Sequence, residues 1–161
     1  MQREERRLPD LKTEFLCTVA AYVDWRNVID LGATPHGIRQ IIYIKGGKFE
    51  GPKMKGVVLP GGGDWFVRRA DHVVEVDVRC VLRTDDNQLI YCGLRGINEM
   101  TSEVAVKAIT GQSIDSWNYY FRVTAVIETG SKKYDWLNRI VAVGVGDLTP
   151  AGVEYNIYTV L

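Results

Sequence analysis

The chain has 161 residues, and its 20 basic and 20 acidic side chains cancel to a formal net charge of zero. Apolar residues make up 46% and charged residues 25%, the balance of one globular domain that can bury a core without staples. Neutrality argues against nucleic acid or an anionic membrane as partner, and no apolar run approaches the ~20 residues of a spanning helix.

Residues 1–12, MQREERRLPDLK, read as a flexible lead-in without the apolar stretch of a secretory signal. Residues 13–161 read as a single domain. The three cysteines, Cys17, Cys80 and Cys92, lack CxxC spacing, which points to a reducing cytoplasm rather than a disulfide framework.

Phe15 to Val23, rich in aromatic and β-branched residues, is the first predicted strand. Residues 25–37 read as a loop. The run from Gly32 to Trp65, GATPHGIRQIIYIKGGKFEGPKMKGVVLPGGGDW, holds nine glycines and so reads as short strands joined by tight turns. Strands are expected near 38–45, 47–51, 54–59, 64–70 and 73–83. Thr84-Asp85-Asp86-Asn87 is a turn, because Asp and Asn bond their own backbone and tolerate positive φ. A strand over 88–93 follows. The one predicted helix is 101–109, capped by Thr101 or Ser102 and stopped at Gly111. Strands resume at 118–128, 135–145 and 153–161. Nine or ten strands and one short helix describe an all-β barrel or sandwich.

Most cofactor motifs are missing. Gly61-Gly62-Gly63 is followed by Asp64-Trp65-Phe66 rather than Lys-Ser/Thr and a helix, so it is a turn, not a phosphate loop. His36 and His72 stand alone, with no zinc-ligand spacing, and no GxSxG occurs. Neither a metal nor an organic cofactor is expected. Cys80 alternates with Val76 and Val78 and reads as a small buried apolar residue.

Charges inside strands carry the functional signal. In 73–83, Val74, Val76, Val78, Cys80 and Leu82 share one face, and Glu75, Asp77, Arg79 and Arg83 the other. In 119–128, Tyr120, Arg122, Thr124 and Glu128 share a face. Two readings follow. Periodicity favours valines inward and charges to water. The inverse places Asp77, Arg79, Arg122 and Glu128 inside a polar, reactive barrel, with the valine face covered by the helix or by a second subunit. Arg39, Glu50 and Asp64, single ionisable groups between the apolar stretches of the glycine-rich run, fit that inverse reading as well.

The blocks Gly32-Ala33-Thr34-Pro35-His36-Gly37, Phe49-Glu50-Gly51-Pro52, Leu59-Pro60-Gly61-Gly62 with Asp64-Trp65, Asp77-Val78-Arg79, Tyr120-Phe121-Arg122 and Trp136-Leu137-Asn138-Arg139 resemble family 3237 of the domains of unknown function. The resemblance runs from about Phe15 to the C-terminus. It implies a single, mostly antiparallel, lipocalin-like β-barrel, and no established reaction. Carried over on the matching motifs, the ionisable positions are Arg39, Glu50, Asp64, Asp77, Arg79, Arg122, Glu128 and Arg139. The aromatic ones are Phe49, Trp65, Tyr91, Tyr120 and Trp136. Asp64 also reads as a turn-closing residue.

The function expected from these positions is a cofactor-independent enzyme performing isomerisation, cyclisation or elimination on a small apolar, natural-product-like molecule. Asp77 or Glu50 would move a proton while Arg79, Arg122 or Arg39 stabilises developing oxyanion charge. Trp65, Tyr91, Tyr120 and Trp136 would hold the substrate. The alternatives are a non-catalytic small-molecule-binding barrel and an interaction module. A homodimer is the expected assembly.

Overall fold

In the computed structural model, which describes residues 7–112, 114–115 and 118–161, eleven strands and one α-helix follow in order. They are β1 (Thr13–Val23), β2 (Ile29–Thr34), β3 (Gly37–Glu50), β4 (Lys55–Val58), β5 (Gly63–Asp64), β6 (Val67–Arg68), β7 (Val74–Thr84), β8 (Leu89–Asn98), α1 (Ser102–Ile109), β9 (Phe121–Glu128), β10 (Val141–Thr149) and β11 (Gly152–Val160). Pairing runs β1-β11-β10-β9-β8-β7-β4-β3, and β3 then pairs β1. The result is a closed antiparallel barrel of eight strands, the number at which the interior just accommodates side chains or one small ligand. Strand β2 extends the sheet along β3, while β5 and β6 bridge β3 to β7.

Closure depends on Gly47. It sits at φ +149, and a Cβ there would lie 2.0 Å from the Ala20 carbonyl oxygen, so only glycine lets β3 approach β1 this closely. The same glycine pair explains one difference from the expected elements. Gly46 and Gly47 do not end a strand; they bend one 14-residue strand across the barrel. The residues 29–34 read as loop form β2, because Gly32 at φ +76 bulges the strand without ending it. The strand expected over 64–70 is two short ladders. The one expected over 135–145 begins instead as a 3-10 turn, Asp135–Arg139, before β10. The helix matches its capping signals: the Val104 N–H donates to Thr101 Oγ1 at 3.3 Å, and Gly111 follows at φ +85. Residues 7–12 are exposed and without regular structure; 1–6 of the expected lead-in lie outside the described residues.

The core occupies the barrel interior, and β7 shows how it is built. Val74, Val76, Val78, Cys80 and Leu82 are buried and point inward, while Glu75, Arg79 and Arg83 are exposed. The interior is therefore apolar, and the expectation of a charged lumen is corrected. Alternation in a barrel sends one face to the core, and desolvating four charges there would cost far more than exposing valines. In β9, Phe121, Val123, Ala125 and Ile127 likewise fill the interior and leave Arg122 and Glu128 outside. Among the described residues, no helix is long and apolar enough to cross a membrane.

Candidate active site in the barrel cavity

One half of the barrel is packed solid by Phe49, Leu82, Ile90, Leu94, Leu137 and Ile157. Towards the other end the inward side chains are smaller, Ala21 from β1 and Val74, Val76 and Val78 from β7. They leave a cavity of about 270 Å³, at the small end of ligand pockets. Half-buried Trp25, Val28, Gln40 and Arg68 stand at its rim with Ala105 and Ile109 of α1. The indole N–H of Trp25 donates to the Thr149 carbonyl at 3.0 Å, tying the β1–β2 connection to the end of β10.

Few polar groups reach the apolar wall, and the most consequential is Asp64. The chain alternates Asp64 inward, Trp65 outward and Phe66 inward, so β5 delivers a carboxyl onto the core face. The Asp77 backbone N–H donates to Asp64 Oδ1 at 2.8 Å, and the Trp65 N–H donates to the Asp77 carbonyl at 3.1 Å. These bonds fix the carboxyl against β7. Behind it, Arg39 donates to the Trp65 carbonyl at 2.6 Å. Burial pushes the Asp64 pKa up to about 7; the Asp77 N–H and Arg39 pull the other way, and the Asp77 carboxylate adds to the rise.

Tyr155 also contributes to the cavity lining. Its side chain is 1% exposed, and its hydroxyl has no hydrogen-bond partner among the described residues. The ring packs edge-on against Phe121, with centroids 5.6 Å apart and planes at 74°. Phe121 lies where it does because Gly146 faces it: a Cβ there would come within 2.7 Å of the ring. Asn98 also lines the cavity, its Oδ1 held by the Met100 N–H at 2.8 Å.

The residues singled out from the sequence fall elsewhere. Asp77 and Arg79 pair at 3.4 Å on the outer wall, where Arg95 joins Asp77 at 3.5 Å and the Arg79 guanidinium lies over Trp65 at 5.7 Å. Arg39, Trp65 and Asp77 share a shallow outer groove with Glu75 and Arg95. Arg122 lies over exposed Tyr120 at 5.1 Å, outside the barrel. Glu50, Tyr91 and Glu128 are exposed, and Arg139 pairs with Asp135 in the 3-10 turn. Phe49 is a core residue of the packed half. Trp136 is half-buried under Lys53, 5.2 Å from the ring. None of these side chains lines the cavity.

Asp64 was one of the motif positions, but its strand alternation with Phe66 is the signal that aims it inward. Tyr155 carried a weaker signal. It alternates with Val153 and Ile157, a phenol on an otherwise apolar face.

The described residues define a closed eight-stranded antiparallel β-barrel with a largely apolar cavity, Asp64, Asn98 and Tyr155 among its polar lining residues. The chain belongs to the family of proteins of unknown function designated DUF3237, whose model matches residues 11–160. A UPF0311 protein from Rhodopseudomonas palustris strain TIE-1 is 30% identical over 153 residues, covering 95% of this chain and 99% of that protein. A β-barrel-like protein from Acinetobacter baumannii is 36% identical in sequence. Its crystal structure superposes with a TM-score of 0.80, covering 98% of this chain and all of that one. A structure described as an enzyme from Penicillium herquei, 19% identical over 96% of this chain and 98% of that one, superposes with a TM-score of 0.71 and shares the fold.

Proposed function

We propose that this protein is a cofactor-independent enzyme that moves a proton on a small, largely apolar organic molecule held inside the barrel. Asp64 is its general base and acid. The observation that supports this most strongly is the carboxyl that β5 carries onto the wall of an apolar cavity, where burial pushes its pKa up towards neutrality and lets it both take and return a proton. As carboxylate, Asp64 removes a proton from a C–H or O–H of the bound molecule. Returned to a different carbon, that proton completes an isomerisation; delivered to a leaving group, it completes an elimination. Where the proton comes from a hydroxyl, the freed oxygen can close a ring onto an electrophilic carbon, and Asp64 then protonates the adjacent carbanion. The walls supply shape and exclude water. A purely structural role for Asp64, accepting the Asp77 N–H, would be served equally by an amide.

The test is deuterium exchange. Enolisable apolar ketones are incubated with protein in D2O, and loss of the C–H signal is followed by proton NMR. Wild type accelerates exchange over buffer, and Asp64→Asn lowers the rate by about 10²-fold or more. Exchange at an undiminished rate in Asp64→Asn removes Asp64 from the chemistry. Binding without exchange in the wild type makes the protein a carrier.

A further inference from the structure

We propose that the guanidinium of Arg68, at the mouth of the barrel cavity, binds a carboxylate on the substrate, whose apolar body lies along the cavity wall with its reacting end towards Asp64. This rests on the reading of the cavity as the substrate site and deepens it by naming the substrate class: small apolar acids that carry their charge at the end opposite the reacting carbon.

Strand register sets the two ends of the cavity. Arg68 of β6 pairs with Val74, the first residue of β7, and Asp64 of β5 pairs with Val78. Those partners are four residues apart on β7, about 13 Å of strand at ~3.3 Å per residue. Leu82, further along the same inward face, belongs to the packed half. Asp64 therefore lies at the inner end of the cavity and Arg68 at the outer end. Side chains alternate between the two, so Asp64, Phe66 and Arg68 line the cavity while Trp65 and Val67 line the outer groove.

Charge selects the head group. Among the described residues that line the cavity, Arg68 alone is a cation. Its guanidinium forms no ion pair among the described residues, and its one side-chain hydrogen bond there, Nη1 to the His72 carbonyl, is long at 3.5 Å. The carboxylates that follow it in the chain, Asp71 and Glu75, pair with Arg69 instead, Glu75 at 3.1 Å. Asp30, the partner of the rim residue Gln40 at 3.2 Å, also accepts the Gly32 N–H at 2.7 Å. The planar fork of donors on Arg68 is thus largely unspent, and a carboxylate matches it. Arg68 is half-buried, so a pair formed there is screened less than one on open surface. An anion at the inner end would meet an apolar wall and the Asp64 carboxyl, so an amphipathic ligand enters apolar end first and leaves its charge at the mouth.

The probes are 7-oxooctanoate and its methyl ester, which share a chain and a terminal methyl ketone and differ in the charge. Titrated by NMR or calorimetry, Arg68→Gln weakens 7-oxooctanoate by about tenfold and changes the ester by less than about twofold. Arg83→Gln, which removes an exposed charge from the outer face of β7, changes neither by more than about twofold. Wild type binds the acid more tightly than the ester, and about 1 M sodium chloride narrows the gap, a readout that needs no variant. Equal loss of acid and ester in Arg68→Gln, equal loss of the acid in Arg83→Gln, no preference for the acid in wild type, or no binding of 7-oxooctanoate up to its solubility limit overturns the proposal. Deuterium exchange at the carbons beside the ketone is read in the same samples. Arg68-dependent binding without exchange leaves the carboxylate site standing and rejects the catalytic reading; exchange on both probes with equal affinities, unaltered in Arg68→Gln, does the reverse.

Discussion

Replacing Asp64 by Asn should stabilise the protein, and more so as the pH rises. The unfolded carboxyl ionises near 3.8, whereas burial holds the folded one protonated up to about 7. Between those values the folded state binds the extra proton, so stability falls as pH rises across the window and the loss is complete above pH 7. At 1.36 kcal/mol per unit of pKa, the full cost of ionising Asp64 in place is about 4 kcal/mol. Of this, about 2.5 kcal/mol accumulates between pH 5 and pH 8. Asparagine has the same shape and keeps an oxygen for the Asp77 N–H, so the variant removes the titration with little else. Urea unfolding of both proteins at pH 5, 6, 7 and 8, read as the variant-minus-wild-type difference, should show the gap widening by roughly 2–3 kcal/mol. A difference that stays constant from pH 5 to pH 8 would mean that the native carboxyl ionises where the unfolded one does, and that burial does not raise its pKa.

Other perturbations probe the frame around this group. Gly146→Ala places a methyl within 2.7 Å of the Phe121 ring. It should cost about 1–3 kcal/mol in urea unfolding and weaken cavity ligands by displacing the ring that supports Tyr155. Asp77→Asn removes the outer-wall carboxylate that raises the Asp64 pKa while keeping the backbone bond, so the pH midpoint of deuterium exchange should move down. Glu50→Gln and Arg122→Gln alter side chains on the outside of the barrel and should leave the exchange rate within about twofold, since exposed sites away from the cavity perturb it little.

The barrel and its cavity were unequally readable in the sequence. Alternation in 73–83 and 119–128 located β7 and β9 and sorted their two faces correctly, because side chains on a strand have a period of two. The same alternation favours valines inward and charges to water, and the structure has them so; the motif charges argued for the inverse. What the alternation leaves out is the closure of the sheet, which depends on Gly47 meeting Ala20, a contact between residues 27 positions apart. The motif charges at Asp77, Arg79 and Arg122 drew attention as reactive groups, yet they form exposed ion-pair and cation–π contacts on the outer wall. Asp64 stood in the same motifs. Its step after three glycines looks like a turn, and only pairing of β5 with both β3 and β7 turns those residues into a bridge that carries the carboxyl inward. Tyr155 lies on the apolar inward face of β11. That its hydroxyl is left without a partner among the described residues is something no pattern of residue types reveals.

The most direct test of the central claim is a carbon-13 NMR titration of the Asp64 carboxyl in aspartate-labelled protein, assigned by its absence in Asp64→Asn. The midpoint is expected near pH 7. A midpoint below pH 5 would contradict it, leaving Asp64 a fixed anion bonded to the Asp77 N–H, with no proton to exchange at neutral pH.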